Sequence, residues 1–198
     1  MPKAGFTYGK RIPGPDYAAI TKAAQDEVME SLAYIALPED RVARAADIVR
    51  QADAEIALHV DERDQAVAHL WFYEQRLGLH RTIGVTPNAY REILSKAMFG
   101  DAKKPTPDAE SQAELVKLAK QARIPRVEDA AEKVLKMAEV VAKARARREK
   151  AVRFMQDAVL ALSQPPYDWS PEKIAEHAGV SRSLIYKQRT AARKRRDG

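Results

Sequence analysis

The stretch His177–Arg196, "HAGVSRSLIYKQRTAARKRR", decides how the rest of the chain is read. Glycine takes positive φ without the clash a Cβ brings, so Gly179 marks a sharp turn between two helical spacings. Ser181 is placed to cap the helix that follows. Leu184 and Ile185 give that helix a buried side, which leaves Arg182, Ser183, Tyr186, Lys187 and Arg189 pointing outward. Just upstream, Ser170 is an N-cap, Pro171 fits the first helical position and Glu172 suits the first turn. Charge is concentrated at the same place. Arg182–Asp197 holds seven basic residues and one acid, whereas the 198-residue chain has a net charge of +6. Residues 1–100 are at −2 and residues 101–198 at +8. Such asymmetry favours a polyanionic partner.

The geometric requirements of a helix-turn-helix are all present. Ile174 is the apolar residue of the first helix, and Ala175 is the small residue where the two helices cross. Gly179 makes the turn, and Val180 is the apolar residue after it. The stretch resembles the helix-turn-helix of site-specific resolvases and of sigma-factor region 4, with "ARKRR" similar to the basic end of the sigma-type helix. It departs from them at Gln188, where an apolar residue is usual. The resemblance covers about thirty residues, with Arg148–Leu162 as the preceding helix of a tri-helical unit. It implies a recognition helix that enters the DNA major groove.

Elsewhere the apolar spacing is that of helices, with no strand-like alternation. It predicts helices over Asp16–Ala36, Pro38 to about Tyr73, Pro87–Met98, Ala109–Ala122 and Pro125–Leu162. Residues 1–15, rich in Gly, Pro and basic residues, read as a flexible arm. The stretch 101–110 reads as a linker, because its prolines and polar residues have nothing to bury. Two units are therefore expected, at 16–100 and 111–198. A shift of 85 residues aligns Arg41–Leu70 with Arg126–Met155, with nine identities in thirty positions. Val42, Ala45, Val49, Ala52 and Ile56 meet Val127, Ala130, Val134, Met137 and Val141 on the same helical face. The spacing predicts an internal duplication, and with it an all-α fold of two tri-helical helix-turn-helix units joined to long helices.

The first copy, "LGLHRTIGVTPNAYREIL", is degenerate. Gly84 is its turn, Thr86 its cap and Pro87 its first helical residue, but His80 stands where a small residue belongs. Asn88, Arg91 and Ser95 are expected to face outward, and Asn is suited to adenine N6 and N7. Base contacts are thus expected from Arg182, Ser183, Tyr186, Asn88 and Arg91. Phosphate contacts are expected from Lys187, Arg189, Arg193, Lys194, Arg195 and Arg196, and from the capping hydroxyls of Ser181 and Thr86.

Other chemistry finds little support. There is no cysteine, and the four histidines lack metal-ligand spacing. No phosphate-cradling glycine loop or nucleophile elbow occurs. "VDERD", Val60–Asp64, reads as exposed helix, and "WFYEQ", Trp71–Gln75, as core. No metal, no cofactor and no enzyme activity are expected. No apolar run is long enough to span a bilayer, and no secretory signal is visible. The expected protein is cytoplasmic and nucleoid-associated. It would bind double-stranded DNA as a transcriptional regulator, either as a homodimer or as a pseudo-dimer within one chain. Its long helices, at about 54 Å for 36 residues, would serve as spacers. The rivals are an accessory protein for partition, replication or recombination of a mobile element, and a helical scaffold with a polyanion-binding tail.

Overall fold

The computed structural model describes residues 7–105, 109 and 111–197. Among these the chain is all-helical, with eight helices and a single isolated bridge between Gly9 and Arg76. The helices are α1 (Tyr17–Ala33), α2 (Pro38–Phe72), α3 (Leu79–Thr82), α4 (Pro87–Phe99), α5 (Gln112–Gln121), α6 (Ala130–Leu162), α7 (Pro171–Ala178) and α8 (Arg182–Asp197). The chain divides into two compact units, and neither is a contiguous half of the sequence.

Unit I takes the described residues up to Tyr17 together with Ala57–Ala142. Its core joins Leu70 and Phe72 of α2, Leu79 and Ile83 at α3, and Leu94 and Met98 of α4. Leu115 and Ala119 of α5 and Val134 and Ala138 of α6 complete it. Unit II takes Ala18–Ile56 with the chain from Lys143 onward. There Val28 and Leu32 of α1 and Val42 and Ala45 of α2 pack with Met155, Val159 and Leu162 of α6. Ile174 of α7 and Ile185 of α8 close that core. Ion pairs stitch the same helices together: Lys143 and Arg147 reach Glu27, Arg147 reaches Glu55, and Arg148 holds Asp53 at 2.6 Å.

Both cores are therefore built from both halves of the sequence. This corrects the division into 16–100 and 111–198 that the linker suggested. α2 and α6 each carry two apolar stretches, and the two stretches of one helix belong to different units.

The arm of residues 1–15 is also corrected where it is described; residues 1–6 lie outside the described chain. Gly9 N–H donates to Gln75 O, Arg76 Nη1 donates to Lys10 O at 2.6 Å, and Thr82 Oγ1 donates to Ile12 O at 2.7 Å. Ile12 packs on the unit I core. Backbone groups of the arm are thus satisfied by the loop between α2 and α3 and by α3, and the segment is docked. The 101–110 linker contains 106–108 and 110, which also lie outside the described residues. Residues 101–105 are exposed and carry no regular structure.

α6 begins at Ala130, five residues after the expected Pro125. The backbone from Ile124 to Val127 has tertiary partners: Tyr73 donates from its hydroxyl to Ile124 O, and Val127 N–H donates to His69 Nδ1. Asp129 takes a left-handed φ of 53° immediately before the helix starts. "WFYEQ" does build core. Phe72 and Gln75 are buried, and Trp71 meets Tyr90 edge-on at 6.4 Å. "VDERD" is corrected in part, since Arg63 is only 2% exposed and pairs with Asp64 at 2.7 Å. Burial pushes the Asp64 carboxyl up, against the pull of Arg63.

Two glycines separate backbone strain from crowding. Gly84 has φ +64° and a Cβ there would lie 2.9 Å from the Tyr17 ring, whereas Gly100 has φ +69° with nothing within 4 Å. Each Gly→Ala should cost about 1–2 kcal/mol for the left-handed conformation. Gly84→Ala should cost roughly 1–3 kcal/mol more, as overpacking. Equal shifts in the thermal midpoint of the two variants would show that Tyr17 yields freely.

Candidate nucleic-acid interface

α7 and α8 are built as the sequence requires. Ser170 Oγ accepts from Lys173 N–H at 3.3 Å with Pro171 behind it, and Glu172 lies in the first turn of α7. Gly179 ends that helix at φ 62°, and its N–H reaches back to Ala175 O and Glu176 O. Ser181 Oγ caps α8 by accepting from Leu184 N–H at 3.3 Å. Ile174, Ala175, Ala178 and Ile185 are buried where the two helices meet. Trp169 lies at the base of α7, edge-on to His177 at 5.5 Å and beneath Lys173 at 4.0 Å.

Gln188, the departure from the apolar pattern, is buried at 7% exposure and accepts a hydrogen bond from Gln156 Nε2 at 3.0 Å. A buried amide satisfied by a partner on α6 costs little, so α8 keeps its register to Asp197. Arg50 of α2, a residue from the other half of the sequence, adds a second fixture. Its Nη1 donates to Ala178 O at 3.1 Å and to Gly179 O at 3.2 Å, and it also pairs with Asp47. A guanidinium suits these carbonyls, which no helical N–H can reach. It pins the turn that sets the angle between α7 and α8.

The outward side of α8 holds two adjacent stripes at helical spacing. One carries Arg182, Tyr186, Arg189 and Arg193, and the other Ser183, Lys187, Thr190 and Lys194. All are exposed except Arg189, which is half-buried. Arg182 forms an ion pair through Nε with Glu172 Oε1 at 2.6 Å and donates through Nη2 to the Tyr186 hydroxyl at 3.0 Å. The guanidiniums of Arg182 and Arg189 stand 5.3 Å and 5.1 Å from the Tyr186 ring centroid. Glu172 is held below the usual carboxylate range, by its own backbone N–H first and then by Arg182.

The basic residues expected to meet phosphate are not alike. Arg195 bonds Gln156 Oε1 at 2.6 Å and pairs with Asp157, which fastens the end of α8 to α6. Arg196 pairs with its neighbour Asp197 at 3.0 Å. Lys187, Arg193 and Lys194 have no carboxylate partner among the described residues. The Ser181 hydroxyl also shares a hydrogen bond with Ser183 at 3.1 Å.

α3 and α4 lie in unit I. α3 is a single turn that begins after Gly78 at φ 77°, Gly84 turns at φ 64°, and Thr86 Oγ1 accepts from Ala89 N–H at 3.2 Å. His80 is accommodated against Tyr90, at 6.1 Å between ring centroids. Burial drives the Tyr90 phenol well above its ordinary pKa. Asn88 and Arg91 are exposed as expected. Ser95 is not: Leu94 and Met98 centre the buried face of α4, and Ser95, three residues before Met98, turns inward with them. Thr86, Asn88 and Arg91 belong to unit I, and the remaining site residues to unit II.

Sequence reading missed Glu172, Arg50 and the Gln156–Asp157 pair as parts of this surface. Each reaches α7 or α8 from ten or more positions away, so no local spacing announces it. Among the described residues no group of three or more His, Asp or Glu is set to hold a metal, and no helix is long and apolar enough to cross a membrane. No family model, no curated protein and no solved structure matches the chain.

Proposed function

We propose that the protein binds double-stranded DNA sequence-specifically, with α8 as its principal recognition helix lying in the major groove. The observation that carries this reading is the conjunction on α8. One side is buried through Ile185, Gln188 and Ala192, with Gln188 bonded to Gln156 of α6 and Ile185 in the core shared with α7, and the other presents two exposed stripes of Arg, Lys, Ser, Thr and Tyr. A helix held this firmly, with donors at consecutive turns, has the form that base-edge reading requires. In this reading Arg182 and Ser183 read bases. Lys187, Arg189, Arg193 and Lys194 hold phosphate, joined by Arg196 and by Arg195 to the extent that each leaves its carboxylate.

α4 is the second recognition helix of the proposal, reading with Asn88 and Arg91. Two features support an internal duplication. Helix, long helix, short helix, left-handed glycine and helix occur twice in order, and Leu79 with Gly84 matches Ile174 with Gly179 at one offset of 95. Transcriptional regulation in the cytoplasm is the role we assign to a binder of this kind. Footprinting tests the reading: a defined protected sequence is expected, and equal salt-sensitive binding to any polyanion would overturn it.

Deletion of Arg193–Gly198 gives a quantitative check. Each phosphate contact contributes about 0.9 to the slope of log affinity against log salt. Arg193 and Lys194 have no carboxylate partner among the described residues, so the slope should fall by at least about 2. A fall of about 3–4 would mean that Arg195 and Arg196 give up their carboxylates on binding. An unchanged slope would make the end of α8 a solvated terminus. Sequence preference should survive the deletion.

A further inference from the structure

Resting on the DNA-binding reading, we propose that Arg182 is a guanine reader and that Glu172 and Tyr186 are its positioning residues. Arg182 is the first residue of α8, and its side chain is 60% exposed. The guanidinium has five N–H donors in a rigid fork. Nε lies 2.6 Å from Glu172 Oε1 in an ion pair, and Nη2 donates to the Tyr186 hydroxyl at 3.0 Å. Both hydrogens of Nη1 and one of Nη2 remain. They form the free end of the fork and match guanine O6 and N7 in the major groove, the acceptor pair that no other base edge presents. The Tyr186 ring beneath the guanidinium fixes its plane.

An exposed ion pair adds little to folding stability. Its consequence here lies in preorganisation. A free arginine loses rotamer freedom when it meets a base, whereas one already held on two sides has lost most of it beforehand. Phosphate, by contrast, accepts from an arginine in many orientations and gains little from a fixed fork. Glu172 belongs to α7 and Tyr186 to α8, so the reader is set only when the turn at Gly179 holds its angle.

The opposite role for Glu172 would be that of a competitor, a carboxylate that occupies Arg182 and repels phosphate. The two roles differ in one measurement. Sites are selected with the full-length protein, and affinities are then measured for the preferred site, its single-base variants and random DNA. A G·C pair is expected at one position, discriminated by about 5- to 150-fold. Arg182→Ala and Arg182→Lys should abolish that preference alone. Glu172→Gln should lower discrimination at that position by about tenfold, because the fork loses the carboxylate that holds it. Binding to random DNA should hold or rise, because a negative charge is gone. Tyr186→Phe should act in the same direction, more weakly, and an unchanged Trp169 emission shows that α7 is intact. Equal tightening on all DNA by Glu172→Gln, or selected sites with no guanine sensitive to Arg182, would overturn this proposal and leave the DNA-binding reading standing. Absence of any selected sequence would overturn both.

Discussion

A chain cut between Lys103 and Lys104 should survive as a one-to-one complex of two fragments, neither of which folds alone. The cut falls in exposed backbone without regular structure, so it disturbs no buried packing. The fragments 1–103 and 104–198 share both cores. Alone, the first would leave Val28, Leu32, Val42 and Ala45 without Met155, Leu162, Ile174 and Ile185. Full burial of such side chains is worth about 1.5–3 kcal/mol each, so those last four account for roughly 6–12 kcal/mol. Whole domains are stable by only about 5–15 kcal/mol, and the loss in unit II alone is of that size. In unit I the same fragment would lack Leu115, Ala119, Val134 and Ala138.

Each fragment should therefore show little helix by circular dichroism and no cooperative melt, and mixing should restore both at one-to-one stoichiometry. Fragment 104–198, despite a charge near that of the +8 C-terminal half, should bind DNA only weakly and without sequence preference. Cooperative melting of either fragment alone would show that the cores close within halves of the sequence.

That outcome also marks where sequence reading stops. The helices, their caps and the two turns are local properties. Ser170 before Pro171, Thr86 before Pro87, and Gly84 and Gly179 at positive φ were legible because each signal and its effect lie within a few residues. The outward residues of α8 were legible for the same reason. Partner choice was not. The stripe Val42–Ala45–Val49 and its counterpart Val127–Ala130–Val134 are nearly alike, so periodicity is silent on which helix each one meets. The docked arm was missed because, apart from the single apolar contact of Ile12, its hydrogen bonds are made by backbone atoms of Gly9, Lys10 and Ile12, which leave no pattern in composition. Arg50 and Glu172 matter through groups 129 and 10 residues away.

Ala175→Glu should abolish specific DNA binding while leaving unit I folded. Ala175 sits at 6% exposure where α7 meets α8, between Ile174 and Ala178, both buried. A glutamate there adds four heavy atoms and a negative charge to a close-packed crossing, at about 1–3 kcal/mol for overpacking alone. A carboxylate buried without a partner adds more. α7 is only eight residues long and can relieve the clash by leaving the core. The departure carries away Glu172 and the carbonyls held by Arg50, so α8 loses its angle and Arg182 its fixture.

Unit I has its own core and should not follow. The chain has two tryptophans, Trp71 in unit I and Trp169 in unit II, so single-tryptophan versions report each unit separately. With Trp71→Phe, emission from Trp169 should shift to the red in Ala175→Glu. With Trp169→Phe, emission from Trp71 should stay where it is. Ala161→Glu, an exposed position on α6, is the control and should change stability by no more than about 0.5 kcal/mol with binding intact. Retention of the selected sequence at full affinity in Ala175→Glu would mean that α8 does not depend on α7 for its placement, and the helix-turn-helix reading would fall with it.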